Sequence, residues 1–367
     1  MKQIGIGIVG GGYMGKAHAV AHSAVGALFD TALRPRLEMV CATNDASAEK
    51  YRNAYGFQRA TSDWKALVTD EKVEAIVIAS PQDTHRDIAE LAFTLGKPVF
   101  CEKPLGRDVA DSRAMVAAAE AAGAISMSGF NYIRTPASQF VKQLLDAGEI
   151  GEITNFRGEH TEDFMADPQE PATWRSHGVA NGCMGDLSPH PINCALRLMG
   201  PIEKLIAEVE TVIHTRPGGD VTNDDQAQIM CRFASGVLGS IFASRTATGR
   251  KMGYKYEITG TKGAIYFDGE DQNAVHLYKM EGPDAQRGFT KILTGPAHPD
   301  YKSFCLGPGH GTGYQDQIII EAKDFLTAIH TGQNIWPTFR DGMEVNQIVA
   351  ASHASSQAKT WLNVNDF

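Results

Sequence analysis

Three groups of residues carry chemistry by their type and spacing. Gly10-Gly11-Gly12-Tyr13-Met14-Gly15 is a G-x-G-x-x-G run that follows the apolar stretch Ile4–Val9 and opens a helical pattern. In that setting the first glycine allows a tight turn and the second lets a pyrophosphate approach the backbone. The third packs helix on strand, so bound phosphates meet unpaired helix N–H groups. Outside such a setting the same run is a structural turn. Glu102-Lys103-Pro104 follows the apolar run Val99–Cys101. A lysine at the carboxyl end of a parallel strand faces the crevice where such sheets bind ligands. A cationic ring beside it would lower its pKa toward a working range; the plain alternative is a solvated surface charge. The third group is Gly185-Asp186-Leu187-Ser188-Pro189-His190-Pro191-Ile192-Asn193. Ser188 reads as an N-cap and the two prolines suit a first helical turn. His190 then sits where the positive helix end favours neutral imidazole, the form a general base needs. Asp186 is placed to orient it or to bind a substrate hydroxyl. The competing reading is a buried Asp–His pair that organises the turn.

The glycine run implies a dinucleotide, and an acidic residue roughly 20 positions further on should grip the adenosine ribose. Phe29–Arg36 lengthens that connection, so the ribose candidates are Asn44 and Asp45. Either one can instead cap the helix that follows. No cation follows them until Lys50, which favours NAD over NADP, because a 2′-phosphate wants a positive partner.

The elements that must position these residues follow two different patterns. With 367 residues and about 150 per domain, two or three domains are expected. Up to about residue 125, short apolar runs (Ile4–Val9, Leu37–Ala42, Val73–Ala79, Val99–Cys101, Ile125–Ser128) alternate with helical stretches, which implies a parallel sheet covered on both faces. After Gly129 the pattern is a meander. Strand-like runs at Ile153–His160, Lys204–Ile213, Ala227–Phe233, Val237–Ser244, Lys255–Thr259, Ala264–Phe267 and Ala274–Lys279 are parted by turns such as Ala234-Ser235-Gly236. Gly282–Gly313, rich in Gly and Pro, suits a lid, a subunit contact or disorder. Helices at Asp316–Thr331 and Asp341–Lys359 follow. The expected architecture is α/β: residues 1–128 form a dinucleotide-binding parallel-sheet domain, and 129–367 an α+β domain with a large, mainly antiparallel sheet.

Composition removes several function classes. The 34 basic against 43 acidic residues give a net charge of −9, which argues against a nucleic-acid partner. No apolar run reaches the roughly 18–20 residues of a membrane span. Glycines perforate the first 28 residues and no twin arginine occurs, so that stretch reads as mature structure. The six cysteines (Cys41, Cys101, Cys183, Cys194, Cys231, Cys305) form no C-x-x-C pair. They read as reduced core thiols, with neither disulfides nor a zinc site, in a cytoplasmic protein.

In order along the chain, the glycine loop, Ser80-Pro81-Gln82-Asp83-Thr84-His85, Glu102-Lys103-Pro104, Trp174-Arg175, the Asp186 to His190 segment and Gly260-Thr261-Lys262-Gly263 resemble the glucose–fructose oxidoreductase / inositol dehydrogenase / rhizopine-catabolism (Gfo/Idh/MocA) family over essentially the whole sequence. The resemblance implies a Rossmann domain joined to a domain whose open sheet forms a homo-oligomer contact, in a dimer or tetramer. It also implies a nicotinamide cofactor and a lysine–aspartate–histidine site for a secondary alcohol. Lys103, Asp186 and His190 match the catalytic trio. Ser80, Pro81 and His85 match the second cofactor loop, and Glu102 the residue before the lysine. Two positions depart: the glycine run before the aspartate reads Asn181-Gly182-Cys183-Met184, and the acidic residue three after the histidine is Asn193. Both touch the substrate side of the site.

Further substrate-binding candidates are Asn131 beside Tyr132, His160 at a strand end, Arg175, and Asn193, each with a structural alternative. Trp174 reads as core rather than as a sugar platform, and His310 as a turn residue, its alternative being entry into a neighbouring subunit's site. The expected protein is an NAD-dependent dehydrogenase of a cyclic polyol or sugar (inositol, aldose or glycoside). Two rival readings are an NAD-dependent glycoside hydrolase with a transient redox cycle and a non-catalytic sugar or nucleotide sensor. The hydrolase would show no net NADH. The sensor would ordinarily lack the chemical residues that are present here.

Overall fold

The strand that feeds the glycine loop, β1 (Lys2–Val9), lies inside a six-stranded parallel sheet. Its partners are β2 (Leu33–Cys41), β3 (Arg59–Thr61), β4 (Ala75–Ile78), β5 (Val99–Glu102) and β6 (Ser126–Gly129), in the order β3-β2-β1-β4-β5-β6. Helices α1 (Tyr13–Leu28), α2 (Asp45–Tyr55), α3 (Trp64–Thr69), α4 (His85–Thr94) and α5 (Val109–Ala121) provide the crossovers. Strand β4 is buried along its whole length, as its unbroken Ala-Ile-Val-Ile run requires of a sheet covered on both faces. The order reverses between β1 and β4, and a doubly wound sheet binds its ligand at such a switch point. Strand β2 starts at Leu33, four residues earlier than the expected Leu37, so half of the supposed lengthened connection is strand. Pro35 is tolerated there because β3 pairs only with Met39–Cys41, leaving that part of β2 without a neighbour on one side.

The computed structural model describes residues 2–367. The chain divides into two compact units: residues up to Arg134 together with Gly313–Glu344, and Thr135–Thr312 together with Val345–Phe367. The sequence suggested a single crossing at 128/129, whereas the chain returns to the first unit. The reason lies in α10 (Tyr314–Thr331): Ile318, Ala322 and Phe325 are buried, Phe325 stands edge-on to Phe100 of β5, and Gln315 donates to the Ala17 carbonyl of α1. Periodicity shows which face of a helix is apolar, not which element it covers.

The second unit is built on a nine-stranded sheet in the order β16-β15-β14-β13-β7-β12-β11-β8-β17. The strands are β7 (Ile153–Thr161), β8 (Ile202–Glu210), β11 (Gln226–Phe233), β12 (Leu238–Ser244), β13 (Lys255–Gly260), β14 (Gly263–Asp268), β15 (Ala274–Lys279), β16 (Thr290–Leu293) and β17 (Leu362–Asn363); a separate small ribbon pairs β9 (Thr215–Arg216) with β10 (Gly219–Asp220). Only β7 and β12 run parallel; the other pairs are antiparallel. In β11, Ala227, Ile229, Cys231 and Phe233 are buried while Gln228 and Met230 face outward, so one face of the sheet is core. The unit also carries α6 (Pro136–Asp146), the single turn α7 (Cys183–Asp186), α8 (Pro189–Met199), the short α9 (Tyr301–Phe304) and most of α11 (Phe339–Ala358). Residues 282–313 are an ordered excursion containing β16 and α9, held by the Asn273 and Tyr301 side chains. No helix among the described residues is long and apolar enough to cross a membrane.

Candidate active site

In the first unit the expected cofactor residues follow the carboxyl ends of parallel strands and so share one edge of the sheet. The glycine loop shows three separate reasons for glycine. Gly10 has φ +102°, and a Cβ there would lie 2.3 Å from the Ala79 carbonyl oxygen. A Cβ on Gly15 would lie 1.9 Å from the Gly10 carbonyl oxygen, so helix and turn touch through it. Around Gly12 nothing lies within 4 Å of the Cβ position. Gly12 is also the N-cap of α1 and supplies no side-chain acceptor, which leaves the first-turn N–H groups for a ligand. Open space over a donor-rich helix start fits a pyrophosphate. Tyr13 is 74% exposed beside it, its ring 5.9 Å from that of Tyr314, and the Tyr314 hydroxyl contacts the Met14 sulfur.

The remaining residues of this edge are tied down in different ways. The Asn44 side chain accepts from Ser47 N–H at 2.8 Å and caps α2, while Asp45 accepts from Ser62; both stay exposed at the end of β2. Ser80 Oγ bonds Thr84 Oγ1, and Pro81 is exposed. His85 is only 1% exposed. Its Nε2 lies 2.9 Å from the Ser80 carbonyl oxygen and its Nδ1 3.2 Å from those of Pro104 and Leu105. It therefore straps the Ser80 loop to the segment after Lys103, and burial pulls its pKa below the usual histidine range. Lys103 is half-buried directly after β5. The Glu102 carboxylate turns inward and accepts from His18 Nε2 at 2.7 Å, which ties β5 to α1. Asn131 is buried and donates to Gln317 at 2.8 Å.

Behind Glu102 lies Glu321 of α10, 1% exposed, with one oxygen accepting from Phe130 N–H at 2.8 Å. Burial, reinforced by the Glu102 carboxylate, raises its pKa well above the ordinary range. The folded chain thus keeps a proton that the unfolded chain releases above about pH 4.3, so this residue's contribution is fully present in acid and is lost as pH rises toward the folded pKa. Each pH unit in that window costs about 1.4 kcal/mol. Glu321→Gln copies the protonated form and should flatten the decline, so that the variant melts higher than the parent at pH 8 but not at pH 4. An equal difference between the two proteins at both pH values would show that the carboxyl is ionised in the fold.

In the second unit, His190 is 5% exposed and packs edge-on against His160, with ring centroids 5.4 Å apart. His160 is itself 1% exposed; its nitrogens lie 3.1 Å from the Leu187 carbonyl oxygen and 3.0 Å from a Glu162 oxygen. It backs the turn that carries His190. Ser188 does not cap α8 as expected. Its backbone is helical and its hydroxyl donates to the Met184 carbonyl, because the turn α7 already precedes it. The N–H groups that open α7 are taken: Gly182 donates to the Val179 carbonyl and Cys183 to the Asp224 carbonyl. Asp186, partly exposed, ends α7. Asn193 is 1% exposed, with neither side-chain amide atom hydrogen-bonded, so it lies behind the helix surface in this conformation.

Trp174 corrects the expectation of a core residue: it is 62% exposed, with the Arg175 guanidinium stacked 4.1 Å from its ring centroid. Both lie in a segment fastened from below by residues that no motif announced. Arg245, 1% exposed, donates to Asp225 at 2.8 Å, to Asn223 at 2.7 Å, and to the carbonyls of Arg175 and Asn181 at 2.8 and 3.1 Å. Asp224 accepts from Met184 N–H at 2.6 Å. The sequence signal was the run Asn223-Asp224-Asp225, three polar residues just before an alternating strand. Among the described residues no group of three or more side chains could hold a metal ion.

Comparison with known proteins agrees with this layout. Residues 4–130 match the model of an oxidoreductase family with an NAD-binding Rossmann fold, and residues 138–266 that of the GFO/IDH/MocA C-terminal domain. The chain is 35% identical to levoglucosan dehydrogenase of Pseudarthrobacter phenanthrenivorans, covering 99% of both chains, and 29% identical to inositol 2-dehydrogenase of Rhizobium meliloti, covering 98% of both. A solved levoglucosan dehydrogenase in complex with NADH and levoglucosan superposes with a TM-score of 0.97 at 36% identity, over 99% of this chain and 100% of that one. The glycine loop, the doubly wound sheet and the match along both domains make this chain a member of the Gfo/Idh/MocA family of NAD-dependent oxidoreductases.

Proposed function

We propose that the protein oxidises a secondary ring hydroxyl of a cyclic sugar or polyol to a ketone, or an anomeric hydroxyl to a lactone, with NAD as hydride acceptor. The observation that carries this reading is that each chemical residue sits on a structurally justified support: Lys103 at the ligand edge of the parallel sheet, and His190 on a turn backed by His160 and preceded by Asp186. Bound NAD supplies the hydride acceptor at the nicotinamide C4. The residues of the chain do the rest. The N–H groups after Gly12 and the loops that follow β2 and β4 bind and orient the dinucleotide. His190 takes the hydroxyl proton, Lys103 polarises the same oxygen and stabilises the developing alkoxide, and Asp186 holds the substrate and the base in register. Arg175 and Trp174, exposed and paired, supply a polar and an apolar face suited to a sugar ring.

The test is NADH absorbance with purified protein, NAD or NADP, and a panel of inositols, aldoses, glycosides and levoglucosan. Signal with NAD and one of these rings is the expected result. Silence with every ring, while NAD demonstrably binds, would point to the transient redox cycle of a glycoside hydrolase or to a sensor.

We also read the chain as a homo-oligomer that associates through the open face of the nine-stranded sheet. Met230 is 48% exposed there, and Phe242 is directed to the same face between buried Ile241 and Ala243. Phe242→Glu should shift the mass measured by light scattering toward the monomer, since a buried unpaired carboxylate costs several kcal/mol. An unchanged mass would place the contact elsewhere.

A further inference from the structure

Five of the six cysteines are buried. Burial pushes the Cys41 thiol up to about 11, Cys194 and Cys231 to about 12, and Cys101 and Cys183 well above the ordinary range. Cys305, expected as a core thiol like the others, is partly exposed instead. It ends α9 and starts the tight excursion 305–312, where His310 Nδ1 lies 3.4 Å from its sulfur and Gly307 N–H donates to the same sulfur at 3.3 Å. The sulfur also lies 3.6 Å from the Gly307 carbonyl oxygen.

The excursion has a built shape. Tyr301, fully buried, donates to the Gly307 carbonyl at 2.7 Å and accepts from Gly311 N–H at 3.0 Å. Gly309 N–H reaches the Thr294 carbonyl at 2.8 Å, and Asn273 accepts from Thr312 N–H at 2.7 Å. Gly309 and Gly311 take φ of +77° and +86°, turning the chain back so that the imidazole lies over Gly307, where a Cβ would stand 2.6 Å from the ring. A nucleophile, a base and a backbone donor to the sulfur are thereby held together before any reagent arrives.

We propose that Cys305 and His310 form a solvent-facing nucleophile–base pair, and that this pair is the chain's site of covalent modification by soft electrophiles, hydroperoxides in particular. The thiol proton passes to His310 and the sulfur attacks one peroxide oxygen. The S–O bond forms as the O–O bond breaks, and the leaving hydroxide or alkoxide takes the proton from His310 and departs as water or an alcohol. The sulfur loses two electrons and becomes a sulfenic acid, while the peroxide is reduced by the same two. This chemistry is independent of the dehydrogenase reading.

The experiment treats the native, full-length protein with hydrogen peroxide in the presence of dimedone and maps the adduct by peptide mass spectrometry. The expected result is a single adduct at Cys305, formed about 10-fold or more faster than in His310→Gln. Cys305→Ser should remain unlabelled while melting at the parental temperature. Labelling that falls mainly on the enclosed cysteines, no labelling of Cys305, or an equal rate in His310→Gln with its melting temperature intact would each overturn the proposal.

Discussion

Lys103→Ala is expected to lower turnover by about 10³-fold or more while leaving NAD binding within a few-fold of the parent. The separation of the two effects follows from the supports. Lys103 lies after β5, whereas the phosphate-binding N–H groups belong to the start of α1 after β1. Removing the ammonium takes away the charge that polarises the reacting oxygen, and no other cation stands between Glu102 and Leu105 to replace it. Lys103→Arg should recover little, since a planar guanidinium keeps the charge but not the compact point-charge geometry of an ammonium. Initial rates from NADH absorbance and NAD affinity from calorimetry separate the outcomes. Near-parental turnover would remove the lysine from the mechanism.

His190→Ala should cost about 10²–10⁴-fold in turnover, the range for loss of a general base. The imidazole is almost fully enclosed and leans edge-on against His160, which faces the Leu187 carbonyl and Glu162. Its orientation is therefore fixed by neighbours other than the substrate. If His190 is the base, the variant's residual rate should rise with hydroxide concentration across the range where the parental rate is flat. A merely structural histidine would instead lower the melting temperature and leave the pH profile of the surviving activity unchanged. That second pattern would assign the proton to another group.

Much of the frame is legible along the chain because its signals are local. The unbroken apolar runs of β4 and β5, the glycine stops at Gly56, Gly96 and Gly200, and the meander turns after β11 and β13 each follow from a few adjacent residues. The glycine loop is legible because its spacing is local: Gly10 turns at φ +102°, Gly12 leaves open space and Gly15 meets the Gly10 carbonyl.

What escaped is what depends on packing and exposure rather than on residue type. The exposure of Trp174 and of Cys305 runs against residue-type averages, and only the packing of the surrounding loop reveals it. Ser188 carries the right side chain for a cap, yet the preceding turn already occupies the helix start.

The sequence alone determined the nucleotide loop and the parallel-then-antiparallel plan, and its resemblance to the family made Lys103, Asp186 and His190 the candidates for the chemistry. The loop and the plan rest on short-range geometry and residue type. The tertiary structure alone decided that α10 returns to the first unit to cover Phe100, that Glu102 is spent on His18, that burial raises the Glu321 pKa, and that Arg245 holds the loop before Asp186. Each of these joins residues more than 60 positions apart. A buried charge or a helix face finds its partner through three-dimensional packing and desolvation, which leave no periodic mark on the chain.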